Sequence, residues 1–163
     1  MTEAGGGFSF RREIRRAAAG QGLTLSEDQV RTLEIHRDLL STWGRRMNLT
    51  AIRDPGEVVR RHFLEGLLAG AFLGRHGASG TILDLGSGNG FPAIPIRVAR
   101  PEAAPLILVE SSRKRAAFLR ALLRELGWRD SRVEVRRVET GRDLQDLPCD
   151  IFTTRGVTPF DLL

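Results

Sequence analysis

TILDLGSGNGFPAIPIRVAR, residues 81–100, holds a short apolar run, three glycines within five positions, and two prolines ahead of a second apolar run. Thr81–Leu85 reads as a short buried strand. Gly86, Gly88 and Gly90 make a turn in which the backbone can approach a ligand, and a helix is expected from about Phe91 to Val98. Pro92 and Pro95 fall in the first turn of that helix, where a missing N–H costs little. The spacing is G-x-G-x-G, whereas dinucleotide sites use G-x-G-x-x-G. Asp84, two residues before the first glycine, sharpens the difference. A carboxylate at the end of the strand sits badly beside a pyrophosphate, but it suits the cationic amino-acid end and sulfonium of S-adenosylmethionine. An NAD-dependent oxidoreductase is disfavoured on both counts.

Downstream, Leu106–Glu110 reads as a second strand and Arg113–Leu126 as a helix closed by Gly127. Arg132–Val138 and Asp150–Thr154 read as third and fourth strands. Strand–helix alternation at this pitch predicts a doubly wound parallel sheet. Glu110, twenty residues after Gly90, stands where a carboxylate takes both ribose hydroxyls of an adenosine cofactor. Glu139, just past the third strand, is placed to accept from an adenine amine, with a plain surface charge as the competing reading.

Upstream, Phe10 to about Ala19 is basic and amphipathic and ends at Gly20–Gly22. Ser26 and Gln29 form a capping box for a helix over 27–43, with Val30, Leu33, Ile35, Leu39, Leu40 and Trp43 on its apolar side. A further helix is expected over 56–73. Three regions follow: a flexible basic segment over 1–25, a helical region over 26–78, and a cofactor-binding α/β domain over 79–163.

The chain has 163 residues, with a formal net charge of +5, and 41% of them are hydrophobic. Lys114 is the only lysine among 25 basic residues. Arginine forks suit phosphate, so the charge permits an RNA partner. The Arg11-Arg12 and Arg15-Arg16 pairs are the preferred contacts, because their segment is expected to be loosely tied to the core. Arg113, Arg120 and Arg124 share one helix face opposite Phe118, Leu122 and Leu126, which reads as an ordinary amphipathic helix first and an RNA contact second. No apolar run approaches membrane-spanning length and no signal core is visible, so a cytoplasmic location is expected. Cys149, the single cysteine, is expected to be a buried small residue. His62, flanked by apolar residues, reads as a packing histidine, and no metal partners accompany it.

Several motifs in order resemble the RsmG (GidB) family, the bacterial 16S rRNA guanine-N7 methyltransferases. They are Asn48–Pro55 (NLTAIRDP), Arg61–Gly66 (RHFLEG), the loop Gly86–Pro92 (GSGNGFP), Val109–Ser111 with Arg113–Arg120, Arg137–Glu139, and Thr154–Gly156 (TRG) in place of Ser-Arg-Ala. Ala93 stands where the family has glycine. The resemblance implies a Rossmann-like class I methyltransferase sheet, S-adenosylmethionine as cofactor, and 16S rRNA in the small ribosomal subunit as partner, with no membrane and no metal. It also implies that Gly86 and Phe91 line the cofactor, that Val138 and Glu139 meet its adenine, and that Arg155 is the catalytic residue. Such a sheet has seven strands. The sequence given ends at Leu163, so strands five to seven are expected to be missing and strand four to be an edge open to association. A truncated, catalytically inactive cofactor- or rRNA-binding module is the competing reading.

Overall fold

The computed structural model describes residues 8–47, 54–100 and 105–156. The Asn48-Leu49-Thr50 motif, the N-terminal glycines and the segment beyond Gly156 lie outside them. Twelve elements follow one another in the described chain. Helices α1 (Phe10–Ala19), α2 (Glu27–Met47), α3 (Pro55–Val58), a π-helical stretch (Val59–Leu64) and α4 (Glu65–Arg75) precede the sheet. Strand β1 (Ile82–Leu85), α5 (Ala93–Val98), β2 (Leu106–Glu110), α6 (Arg113–Glu125), β3 (Arg132–Val135), a 3₁₀ turn (Gly141–Leu144) and β4 (Ile151–Thr154) complete it.

All four strands are parallel, in the order β3-β2-β1-β4. The chain winds outward from β1 to β3 and returns to pair β4 with the free side of β1. That reversal places a crevice beyond the carboxyl ends of β1 and β4, where open α/β sheets bind ligands. Every residue of β1 and β2 is buried, as central parallel strands covered on both sides must be. Leu83, Leu85, Ile107 and Val109 point to one face, where Val138, Leu144, Leu147 and Phe152 cover them. Ile82, Leu106 and Leu108 point to the other, against a core shared by the helices.

The capping box forms as expected: Gln29 N–H donates to Ser26 Oγ at 3.2 Å, and Ser26 N–H donates to Gln29 Oε1 at 2.9 Å. Four expectations need correction. Segment α1 is not loosely tied: Phe10, Ile14 and Ala18 are buried in the main core, and Phe10 meets Phe63 edge-on at 5.0 Å. The helix expected over 56–73 is interrupted by a π-helical stretch at Val59–Leu64, in which Val59 and Phe63 are buried. Strand β3 stops at Val135 rather than Val138, because Asp143 accepts the backbone N–H groups of Glu139 and Thr140 and draws the chain into the 3₁₀ turn. Cys149 is exposed, on the loop entering β4, where no core reaches it.

Helix α4 lies against α5 through glycines. A Cβ at Gly70 would stand 2.9 Å from Ala99 Cβ, and one at Gly66 would stand 2.7 Å from Pro95 Cβ. Gly74 of the same helix faces open space. Gly70→Ala should therefore destabilise the fold by about 1–3 kcal/mol through overpacking. Gly74→Ala should stabilise it by up to about 1 kcal/mol through helix propensity. Denaturant midpoints of the two variants check this, and equal midpoints would contradict the packing described.

Candidate functional site

The site grows from the turn after β1. Gly86 N–H and Ser87 N–H both donate to Val109 O, at 2.9 and 3.1 Å, so the turn hangs from the neighbouring strand. Gly86, Gly88 and Gly90 have φ of 72°, 52° and 84°, a region costly for residues with a Cβ. At Gly90 a Cβ would also stand 2.8 Å from Ile94 Cγ1. The turn is held open by Glu110, which is 4% exposed. Its Oε2 accepts Gly88 N–H at 2.9 Å and its Oε1 accepts Ser112 N–H at 2.7 Å.

Beneath the turn lies Asp84, at 1% exposure. Thr153 on β4 donates its hydroxyl to Oδ1 at 2.7 Å, since the register sets Thr153 opposite Asp84. The other oxygen, Oδ2, is buried and has no hydrogen-bond partner. Burial pushes this carboxyl up to about 7, against the opposing pull of Thr153 and Ser87. An unpaired buried carboxylate oxygen costs stability unless something cationic or donating comes to it. Asp84 and Glu110 are thus two buried acids beneath and beside the glycine turn.

Phe91, at the end of the turn, is stacked on both ring faces. His36 from α2 lies 4.5 Å away on one side and His62 from the π-helical stretch 4.8 Å away on the other. His36 Nε2 donates to Asn89 O at 2.7 Å, tying α2 to the glycine turn. Burial drives both histidines down to about 4, and for His62 the Arg155 charge adds to that push. Both rings are therefore neutral near pH 7. Neutral His62 accepts from Arg155 Nη2 through Nδ1 at 2.7 Å, so its proton sits on Nε2. Arg155 Nη1 donates to Arg61 O at 2.9 Å and lies 3.6 Å from Glu65 Oε2. The guanidinium carbon is 5.7 Å from the centre of the Phe91 ring.

A cavity of about 190 Å³ opens over the turn, lined by Gly86, Ser87, Gly88, Phe91, Arg115 and Arg155. The structure thus brings Asp84, Gly86, Gly88, Gly90, Phe91, Glu110 and Arg155 into one neighbourhood. Of the expected site residues, Gly86, Gly88, Phe91 and Arg155 line this cavity, whereas Asp84, Gly90, Glu110, Val138 and Glu139 do not. Val138 packs on the second sheet face, and the exposed Glu139 carboxylate pairs with Arg137 at 3.2 Å. His36, Thr153, Glu65 and the Arg61 carbonyl join the site without having been given a role from the sequence. Arg61 and Glu65 lie in the Arg61–Gly66 motif, His36 continues the helical spacing of Val30, Leu33 and Leu40, and Thr153 left no signal. Among the described residues, no group of three or more His, Cys, Asp or Glu could hold a metal ion, and no helix is long and apolar enough to cross a membrane.

A parallel sheet ordered 3-2-1-4, with a glycine turn after its first strand and an acid ending its second, is a Rossmann-like methyltransferase fold. The family model described as rRNA small subunit methyltransferase G matches residues 29–163, and the chain belongs to this family, GidB. The chain is 40% identical over 146 residues to the ribosomal RNA small subunit methyltransferase G of Chloroflexus aggregans, covering 87% of this chain and 59% of that protein. The protein of the same name from Roseiflexus sp. is 41% identical over 146 residues, covering 88% and 61%. The one from Listeria monocytogenes is 38% identical over 128 residues, covering 78% and 53%. The chain therefore spans roughly six-tenths of the length of the first two relatives.

The Asp84 environment predicts a pH signature. Its folded value of about 7 lies above the ordinary 3.8, so the folded chain binds this proton more tightly than the unfolded chain. The cost of burying Asp84 is absent below about pH 4, grows as pH rises, and is complete above about pH 7. His36 works in the opposite sense: stability increases as pH rises from about 4 to 6.5. That contribution cancels when two variants are compared. The unfolding free energy of Asp84→Asn minus that of the unsubstituted chain should rise between pH 4 and 7, by an amount on the order of 4 kcal/mol. Denaturation at a series of pH values measures it, and a flat difference would refute the burial cost.

Proposed function

We propose that this chain is the cofactor-binding part of an S-adenosylmethionine-dependent methyltransferase acting on N7 of a guanosine in 16S rRNA of the small ribosomal subunit. The observation that carries the reading is the buried Asp84 carboxylate, with one oxygen unpartnered, beneath a glycine turn that Glu110 holds open. Those acceptors fit a ligand with a positive charge and paired hydroxyls. Asp84 would receive the cationic amino-acid end, and Glu110 the ribose hydroxyls. Gly86, Gly88, Gly90 and Phe91 would line the ligand, with Val138 and Glu139 at its adenine. S-adenosylmethionine supplies an electrophilic methyl on a sulfonium.

The rest falls to positioning. Guanine N7 carries an in-plane lone pair that is unprotonated at neutral pH, so the site requires no general base. Its task is to hold the base at the right distance and angle. Arg155 has the donor geometry for the O6 edge beside N7, or for a phosphate. The bonds it makes to Arg61 O and His62 Nδ1 keep its fork at the cavity rim, and neutral His62 presents no competing charge. A cytoplasmic location follows from such a substrate.

Labelled S-adenosylmethionine with small ribosomal subunits lacking the modification tests the reading. Label should enter rRNA. Arg155→Ala should lose transfer about a hundredfold or more while S-adenosylhomocysteine affinity stays within about threefold. Cofactor binding without label in rRNA would leave a binding module in place of an enzyme, and tight NADH binding with none to S-adenosylhomocysteine would overturn the cofactor.

A further inference from the structure

The arginines of this chain differ sharply in whether their charge is already answered. On α1, Arg11 is paired with Glu34 at 2.6 Å and also with Glu27, Arg15 with Glu27, and Arg16 with Glu13 at 2.8 Å. Three of the four arginines preferred from the sequence are thus neutralised by neighbours. Residues 113–129 are the opposite case. They hold six cations (Arg113, Lys114, Arg115, Arg120, Arg124 and Arg129) and one acid, Glu125. Six of the chain's 25 basic residues and one of its 20 acidic ones leave nineteen of each elsewhere, so the whole net charge of +5 resides in this segment.

All six cations are exposed, and no carboxylate lies within 4.0 Å of any of them among the described residues. The bordering acids are engaged elsewhere. Asp130 pairs with Arg97 at 2.9 Å, and Glu134 with Arg132 at 2.7 Å. Glu125 is one residue on from Arg124, about 100° around the helix. Helical spacing aligns Arg113, Arg120 and Arg124 in one row, opposite the buried Phe118 and Leu122.

The row has a direction. Helix α6 begins beside Glu110, at the carboxyl end of the sheet, and Arg115 in its first turn lines the cavity over the glycine turn. Over thirteen residues it runs about 20 Å toward the opposite edge. There Arg120, Arg124, Trp128, Arg129 and Arg132 line a groove of about 500 Å³. We propose that this unpaired arginine row, from Arg113 to Arg129, is the surface on which an RNA sugar-phosphate backbone docks. The proposal rests on the reading of RNA as substrate and adds where its backbone lies. Arginine forks bind phosphate oxygens in pairs, and a line of them with no answering carboxylates suits a polyanion of regular charge spacing.

Phosphate contacts release counterions, so they show in the salt dependence of affinity at roughly 0.7 units of log–log slope per contact on a single strand. Binding of a fluorescein-labelled RNA hairpin to the full chain is measured by anisotropy against salt. The triple variant Arg120→Gln, Arg124→Gln, Arg129→Gln should bind about tenfold or more weakly near 0.1 M salt, with a slope shallower by about two. The control triple Arg12→Gln, Arg31→Gln, Arg75→Gln removes the same charge from scattered exposed positions and should keep the parent slope. Lysines in place of Arg120, Arg124 and Arg129 should restore the slope, which separates lost charge from lost folding. Equal losses in the two glutamine triples, no loss in either, or no RNA binding by the parent would each overturn the surface. So would poly-L-glutamate binding with the same dependence on the row, since that would indicate an acidic protein partner. S-adenosylhomocysteine affinity is measured in parallel: its absence with the slopes as expected would remove the cofactor reading and leave the docking surface standing.

Discussion

Glu110 is the interaction on which the site depends. One carboxylate oxygen receives the N–H of Gly88 from the turn after β1, and the other receives the N–H of Ser112, which caps α6. A single buried side chain at the end of β2 therefore sets the shape of the glycine turn and the starting point of the helix that carries the basic row. Charge-assisted bonds to backbone donors are stronger than neutral ones, and their geometry leaves the carboxylate little freedom. Val109 O also holds the turn, through the N–H groups of Gly86 and Ser87, so β2 supplies two of its supports and His36 on α2 another.

The acid at β1 plays the contrasting part. Asp84 is buried as deeply as Glu110, yet only one of its oxygens is satisfied, and its proton affinity is raised accordingly. Glu110 consolidates the fold, whereas Asp84 is held in it at a cost. A buried group held at a cost to stability beneath the glycine turn is a candidate for function rather than for packing. The helical N-terminal region contributes to the same place. The stack His36–Phe91–His62 runs from α2 through the turn to the π-helical stretch, and His62 and Arg61 then fasten Arg155 beyond β4. Elements far apart in sequence meet within one column of rings.

Much of this was legible beforehand. The strand–turn–helix rhythm follows from period and punctuation, and β2 and α1 have the bounds that their apolar patterns imply. Asp84 and Glu110 could be singled out because each ends a recognisable strand. The strand expected to reach Val138 ends at Val135, where the alternation Val133-Glu134-Val135 gives way to Arg136-Arg137, and Asp143, several residues on, offers the backbone a competing set of bonds. Arg11 and Arg15 of α1 have partners, Glu27 and Glu34, that lie on another helix, whereas the partner of Arg16, Glu13, stands three residues away on α1 itself.

What the amino-acid sequence determined alone is local: which segments are helix or strand, where the backbone must turn through positive φ, and which acids stand at strand ends. These follow from periodicity, sterics and capping within a few residues. Only the tertiary structure decided which charges remain unanswered. Pairing β4 beside β1 sets Thr153 against one oxygen of Asp84 and leaves the other bare. Packing α1 on α2 quenches one set of arginines, while α6, with a single acid on its flank, keeps its row unpaired. Charge is written in the sequence, but its neutralisation depends on distances across the fold, and those exist only once the chain has closed on itself.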